Sequence, residues 1–296
     1  MAPCTTPIPG ECLNLAAMDP ATVVNALTID VEDYFQVSAF APHIPRSEWP
    51  TRECRVERNV DRILAMLDQH GMHATFFTLG WVAERYPALV RRIVAEGHEL
   101  ASHGYGHERA CDQTETAFFA DINLAKLILE DLAGHEVKGY RAPSFSIGAR
   151  NLWAFDCLER AGYRYSSSIY PIRHDHYGMP EAPRHAHPVG GLLEIPATTL
   201  RFLNRNWPAS GGGYFRLMPY GLSRWMLRRI NHVDKLPAVF YFHPWEIDPD
   251  QPRIPDISSK TRFRHYVNIH RMEARLQRLL GDFRWGRMDH LFLSEA

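Results

Sequence analysis

Residues 74–107 read ATFFTLGWVAERYPALVRRIVAEGHELASHGYGH. The run Ala74 to Leu79 is rich in Thr and Phe and predicts a strand. Trp81 to Glu96 carries apolar residues at helical spacing, with Pro87 opening its main segment and Gly97 as its cap. His98 to Ser102 is a second short strand. Two strands joined by a helix of this length lie parallel. The same alternation extends on both sides. Upstream, Ala26 to Asp30 is a short apolar strand, and Glu57 to His70 places Val60, Ile63, Leu64 and Leu67 on one helical face before Gly71. Downstream, Asp112 with Glu115 reads as a capping box opening a helix to Leu132, closed by Gly134. Val137 to Tyr140, Tyr163 to Ile169, Leu192 to Ile195 and Ala238 to Phe242 are strands, and Arg150 to Ala161 and Pro219 to Val233 are helices. Residues 170–191 and the Gly-rich stretch within 204–216 predict loops, and His265 to Leu280 a closing helix. Strands alternating with helices predict an α/β fold with parallel strands. With at least six strand candidates, an irregular (distorted) β/α barrel fits better than a small open sheet, although periodicity alone does not separate it from a doubly wound sheet. Residues 1–25 read as a loose N-terminal extension, with Met18 as an alternative start, and residues 26–296 as one domain.

Composition narrows the function. The chain has 296 residues, 33 basic and 34 acidic side chains, and a formal charge of -1. That balance argues against a general nucleic-acid binder. Four of the basic residues are Lys and 29 are Arg, a bias without functional meaning by itself. The cysteines (Cys4, Cys12, Cys54, Cys111 and Cys157) are widely spaced and contain no C-x-x-C, so neither a thiolate zinc site nor a disulfide framework is indicated. The first basic residue is Arg46 and no apolar run is long enough for a transmembrane segment. The expected location is the cytoplasm, or the inner membrane face. Sixteen histidines are the unusual number and direct attention to a metal.

Four groups fall at or just past the ends of separate predicted strands. Asp30-Val31-Glu32-Asp33 ends the first. Ser102-His103-Gly104-Tyr105-Gly106-His107 follows another and holds the chain's one H-x-x-x-H pair. About one such pair is expected by chance among so many histidines, so its spacing is weak evidence alone. It lacks the Glu of H-E-x-x-H, which disfavours a zincin. Two imidazoles and a carboxylate suit a catalytic divalent metal with open positions. Arg141 follows the third strand and offers a carboxylate partner. His243 ends a fourth, Phe240-Tyr241-Phe242, and is a candidate general acid. Taken singly, each is equally a solvated or packing residue. In a parallel β/α fold, however, the C-terminal strand ends share one face, so these groups would converge on one cleft.

These motifs resemble, in order and separation, those of the polysaccharide deacetylases with NodB homology, carbohydrate esterase family 4. The matching segments are Thr28-Ile-Asp-Val-Glu-Asp33, Ser102 to His107, Arg141-Ala-Pro-Ser-Phe145, the Tyr165 to Tyr170 region and Phe242-His-Pro-Trp-Glu246, spread over about residues 26–250. The Asp-Val-Glu-Asp, Gly211-Gly-Gly-Tyr-Phe-Arg216 and His-Pro-Trp-Glu stretches are similar to the branch associated with exopolysaccharide and PEP-CTERM/exosortase loci. The usual Thr-Phe-Asp-Asp-Gly is altered here, which leaves Glu32 or Asp33 as the metal carboxylate. Glu32 shares the strand face of Asp30 by alternation and is preferred. Asp33 serves if the chain turns after Val31.

The resemblance implies a hydrolase that removes N-acetyl groups from amino sugars of a poly- or oligosaccharide, or of its precursor. It implies a divalent metal, zinc first, with Co2+, Ni2+ or Fe2+ also suited, held by His103, His107 and one carboxylate. Asp30 would be the base, Arg141 its partner and His243 the acid. Pro143, Tyr214 and Trp245 would line the substrate. Two rival readings are a metal-independent amidohydrolase of the allantoinase type, which shares the fold, and a catalytically inactive carbohydrate-binding protein. Retention of both His103 and His107 argues against the first, and of Asp30 and His243 against the second.

Overall fold

The computed structural model describes residues 23–174 and 178–293. Met18, most of the expected N-terminal extension and His176 of the long loop lie outside them. The strands are β1 (Val24–Val31), β2 (Thr75–Thr78), β3 (Glu99–Ser102), β4 (Gly139–Tyr140), β5 (Tyr165–Ser166), β6 (His187–Val189), β7 (Leu192–Glu194), β8 (Thr199–Phe202), β9 (Arg205–Pro208), β10 (Val239–Phe242) and β11 (Arg284–Gly286). The helices are α1 (Val56–Gln69), α2 (Gly80–Arg85), α3 (Pro87–Ala95), α4 (Glu115–Ala133), α5 (Trp153–Arg160), α6 (Gly212–Leu217), α7 (Tyr220–Arg229), α8 (Ser259–Tyr266), α9 (Met272–Asp282) and α10 (Met288–Phe292).

The main sheet runs β10-β1-β2-β3-β4-β5-β7-β6, with β11 beside the start of β1. Every pairing in it is parallel except β6 with β7. The ladder does not close: no backbone pairing joins β6 to β10 among the described residues. Even so, Ala26, Phe77, Ala101, Tyr165, Ile195 and Val239, from both ends of the ladder, pack into one inner cluster. The seam is bridged by a side chain, where the Val239 N–H donates to Thr198 Oγ1 at 2.6 Å. The parallel α/β fold is thus as expected, as an open, curled sheet.

Strand alternation explains the two-layer packing. Leu27, Ile29, Val31 and Phe76 face outward and pack with Val60, Ile63, Leu64 and Leu67 of α1, while Ala26 and Phe77 face inward. Pro87 sits at the first turn of α3, where its missing N–H costs nothing, and Tyr86 breaks the expected single helix into α2 and α3. Several expectations need correction. The cap of α4 is Thr114, whose side chain accepts from the Ala117 N–H, not Asp112. The stretch 204–216 forms β9 and α6 instead of a loop, because its glycines permit close packing rather than mobility. The closing helix is divided into α8 and α9, with Asn268 in a left-handed conformation between them, and β11 and α10 follow.

Glu194 on β7 braces the turn after β5. Its Oε1 accepts the N–H groups of Ser168 and Ile169 at 2.9 and 2.8 Å, while Oε2 has no hydrogen-bond partner. Burial pushes its carboxyl up from an ordinary 4.5 to about 7. The folded state therefore holds this proton more tightly than the unfolded chain. The stability it contributes is full below about pH 4.5 and is lost as pH rises to about 7, by roughly 3 kcal/mol. Glu194→Gln keeps the accepting oxygen and should flatten the decline in urea-unfolding free energy over that window.

Candidate active site

Register assembles the site. Ile29 is level with Phe242, so Asp30 comes beside His243. Val31, Thr78, Ser102 and Tyr140 form one row across β1 to β4, so His103 and Arg141 each stand one residue past it. Asp30, His103, Arg141 and His243 therefore lie at adjacent carboxyl ends of the parallel strands.

Asp30 and Arg141 form a buried pair. The Arg141 guanidinium donates from Nη1 to Asp30 Oδ1 at 2.6 Å and to Thr28 Oγ1 at 2.7 Å. Its other donors reach the Ser167 carbonyl at 3.2 Å and Ser167 Oγ at 3.0 Å. It also lies 4.0 Å from the centroid of Phe77. The side chain is fully buried, and its donors are matched by acceptors on β1 and past β5. Asp30 Oδ2 is left facing the cleft, 3.8 Å from His243 Nε2.

Glu32, His103 and His107 bring one ligand atom each to within 4.8 Å of one another. Glu32 comes directly after β1 on the side of Asp30, and its N–H bonds the Asp30 carbonyl at 3.0 Å as the strand ends. Its Oε1 accepts the Trp245 indole N–H at 3.1 Å. Its Oε2 lies 2.5 Å from His107 Nε2 yet makes no hydrogen bond. His103 donates from Nδ1 to the Arg141 carbonyl at 2.8 Å, which leaves Nε2 as the free ring nitrogen. Burial lowers the His103 pKa to about 4, against the pull of Asp30, so its imidazole is neutral as a ligand must be. Burial also opposes charge on Glu32, but the surrounding His107, His243 and His103 outweigh it and hold its carboxyl well below the usual range. An ionised carboxylate with an orphaned oxygen, aimed at two imidazoles, fits a divalent cation.

The loop carrying both histidines is held from α4. Asp121 accepts the N–H groups of Tyr105 at 2.9 Å and Gly106 at 3.3 Å. Gly104 has φ +74°, and a Cβ there would meet Asp121 Oδ2 at 2.7 Å. His107 itself has φ 52°, unusual for a residue other than Gly.

His243 borders the opening, with its side chain one-fifth exposed. Its Nε2 is 3.6 Å from Glu32 Oε1, and its Nδ1 is 3.7 Å from Glu246 Oε1. Burial works against protonation, but Glu32, Glu246 and Asp30 prevail and raise its pKa to about 9. Glu246 is fully buried beside Arg216, whose Nη2 donates to Glu246 Oε1 at 3.3 Å and whose Nη1 donates to the carbonyls of His265 and Val267. Sequence reasoning assigned no role to Asp121, Arg216 or Glu246. The i, i+3 spacing of His243 and Glu246 across Pro244 was the available signal for the last. Its carboxylate closes a capping box by accepting the His243 N–H at 3.4 Å.

The structure separates the remaining expected residues from the cluster. Asp33 is not beside the histidines: Oδ1 accepts from the Tyr34 N–H and Oδ2 from the N–H groups of Arg55 and Val56 at 2.5 and 2.8 Å. The alternation of β1 points Glu32 inward and Asp33 toward the start of α1. Trp245 offers no open platform to a sugar. It is 5% exposed and stacks on His243 and His265, with ring centroids 5.1 and 4.2 Å away. Pro143 is buried at the first position of a short turn, Pro143–Phe145. Tyr214 is half-buried against the Phe145, Tyr170 and Tyr241 cluster.

A Cβ on Gly212 would overlap the Glu246 carboxylate. Glu246 cannot yield without leaving Arg216. Gly212→Ala should therefore destabilise the fold by about 2 kcal/mol, read as a lower urea midpoint.

Residues 49–166 match the polysaccharide deacetylase family, and residues 167–293 match a domain of unknown function, DUF3473. A Bacillus cereus peptidoglycan-N-acetylglucosamine deacetylase is 39% identical over 94 residues, 31% of this chain and 34% of that protein. An Azorhizobium caulinodans chitooligosaccharide deacetylase is 28% identical over 103 residues, 34% of this chain and 48% of that protein. The chain spans about a third of the length of the first of these relatives. The fold is shared with a crystal structure from Mycobacterium smegmatis assigned to the polysaccharide deacetylases, at TM-score 0.62 and 20% identity, covering 93% of this chain and 91% of that one. His103, His107 and Arg141 lie in the deacetylase match and His243 and Glu246 in the DUF3473 match, so one cleft draws on both. Residues 49–166 are thus similar to the polysaccharide deacetylase family, and residues 167–293 to the DUF3473 domain.

Proposed function

We propose that this chain is a metal-dependent hydrolase that removes N-acetyl groups from amino sugars of a polysaccharide or its precursor. The observation that carries the reading is the convergence of Glu32, His103 and His107 beside the Asp30–Arg141 pair and His243. Two imidazoles and one carboxylate suit zinc first, and Co2+, Ni2+ or Fe2+ next. A divalent cation held there supplies polarisation of the amide carbonyl and a water of lowered pKa.

The protein's own groups supply the rest. Arg141 occupies Asp30 Oδ1, which leaves Oδ2 to accept the proton of the attacking water. His243, protonated and directed at the cleft through Nε2, donates a proton to the amine as the C–N bond breaks. Acetate and a free amino sugar result, with one proton taken and one given. Glu246 places its carboxylate 3.7 Å from the far nitrogen of His243, and Trp245 donates to Glu32. Tyr214, half-buried beside Tyr241, is the aromatic we assign to stacking on a sugar ring.

Residues 26–296 act as a single catalytic domain in this reading. The similarity of Asp-Val-Glu-Asp and His-Pro-Trp-Glu to the exopolysaccharide branch favours an exopolysaccharide substrate, handled in the cytoplasm or at the inner membrane face. Among the described residues no helix is long and apolar enough to cross a membrane.

The test is acetate release from N-acetylated glucosamine oligomers, before and after chelation. Activity should vanish on stripping and return with added zinc or cobalt. Full activity in the stripped protein would overturn the metal-dependent reading, and glycan binding without acetate release would overturn the enzymatic one.

A further inference from the structure

A second surface feature is independent of the chemistry proposed above. Residues 199–235 carry seven basic side chains and one acidic one, in a chain whose totals are 33 and 34. The acid, Asp234, is paired with Arg184 at 3.1 Å, and Arg224 with Asp282 at 3.0 Å. Arg216 is buried in the active site. Arg201, Arg205, Arg228, Arg229 and Lys235 remain, all exposed and without an ion pair among the described residues.

The same segment holds apolar side chains in water. Phe202, Leu203 and Trp207 on the β8–β9 hairpin are 47%, 78% and 48% exposed. Leu222 and Trp225 on α7 are 43% and 48% exposed. These residues adjoin because Leu200 and Ala209 of the hairpin region pack on Met226 of α7 and on Ile230 just past its end. Register pairs Leu200 with Trp207 and Phe202 with Arg205. Alternation then puts Phe202 and Trp207 on the face of the hairpin that Leu200 buries, where both nonetheless stay about half exposed. On α7, Trp225 lies opposite the buried Ser223, Met226 and Leu227, flanked by Arg228 and Arg229.

The hairpin tip sharpens the point. Leu203 and Asn204 both have positive φ, 49° and 58°, as a two-residue turn of this type requires. Such a tip favours Asn or Gly. A Leu there bears backbone strain and gains no packing from this chain.

We propose that the β8–β9 hairpin and the outer face of α7 dock on an anionic lipid bilayer. Trp, Phe and Leu side chains enter the interface between headgroups and acyl chains, while the surrounding arginines meet anionic headgroups. A polar glycan would match the charges but not the protruding Leu203, and a neutral apolar partner would match the leucines but not the uncompensated arginines. The surface leads into the cleft through Ser210 to Gly212, where a Cβ on Gly211 would strike Tyr241 and one on Gly212 would strike Glu246. Docking would therefore hold that wall of the cleft at the membrane.

The full chain can be sedimented with vesicles of equimolar phosphatidylglycerol and phosphatidylcholine, and with phosphatidylcholine alone. Binding to the first, weak binding to the second and loss at high salt are expected. Arg228→Ser with Arg229→Ser should lower partitioning roughly 25-fold, about fivefold for each charge. Leu203→Ser with Trp207→Ser should lower it at least about tenfold. All four positions are exposed, so the thermal midpoint should stay within about 2 °C as a control for folding. Failure of the wild-type chain to bind anionic vesicles would overturn the proposal. So would binding insensitive to both pairs of substitutions, or a dimer in solution that the same substitutions dissolve.

Discussion

Glu32→Gln is expected to lower affinity for the divalent cation at least about 100-fold, since loss of a mere supporting partner of a metal ligand already costs 10–100-fold. Acetate release should fall by roughly a thousandfold, the scale of losing electrostatic stabilisation of a developing oxyanion. The substitution is conservative in shape. Its amide oxygen can still accept from the Trp245 indole N–H, which now bonds Oε1 at 3.1 Å. What is lost is the second oxygen, orphaned beside His107, and the charge. Metal content of the purified protein reads this directly, without reference to turnover. Asp33→Asn is the matched control. Three backbone N–H groups converge on the Asp33 carboxylate, and an amide nitrogen cannot accept from any of them. It should therefore lose about 1–3 kcal/mol of stability and keep its metal. The reverse pattern, metal lost from Asp33→Asn and retained in Glu32→Gln, would exchange the two assignments.

That pair of carboxylates marks how far the sequence is legible. The alternation of β1 is local, and it suffices to put Asp30 and Glu32 on one face. Residues 74–107 declare strand, helix and strand through periodicity and Gly97 alone. The convergence of Asp30, His103, Arg141 and His243 follows from parallel register, so it too is readable once the strands are known. Glu246, Arg216 and Asp121 act through contacts 15 to 52 residues away in sequence, or through a capping box that any surface Glu might have formed. No periodicity encodes those. Trp245 shows the same gap in the other direction. Its neighbourhood to His243 suggested a sugar platform, but His265, from a helix twenty residues further on, covers it at 4.2 Å. The triple glycine misled for a related reason: glycine is needed at 211 and 212 because Tyr241 and Glu246 come so close.

Arg141→Met should be the most disruptive single change to the fold at this site. It leaves Asp30, 2% exposed, as a buried charge without its cation, which costs about 3–5 kcal/mol. It also removes the donors that now satisfy Thr28 Oγ1 and the Ser167 carbonyl. Turnover should fall about 10²–10⁴-fold in the folded fraction, because Asp30 then loses the contact that fixes Oδ1 and leaves Oδ2 toward the cleft. Asp30→Asn should cost comparable turnover, since an amide is no base, but less stability, as its oxygen still accepts from Nη1. The informative measurement is the double variant. Removing both charges removes the uncompensated one, so Asp30→Asn with Arg141→Met should be more stable than the sum of the single effects by about 1–3 kcal/mol. Strict additivity in urea unfolding would mean that the 2.6 Å contact carries no coupling, and Arg141 would then matter to the fold through Ser167 and Phe77 instead. A coupled result ties the fold to the proposed chemistry: the arginine that closes β1 onto the end of β4 is also the group that fixes the Asp30 carboxylate at the cleft.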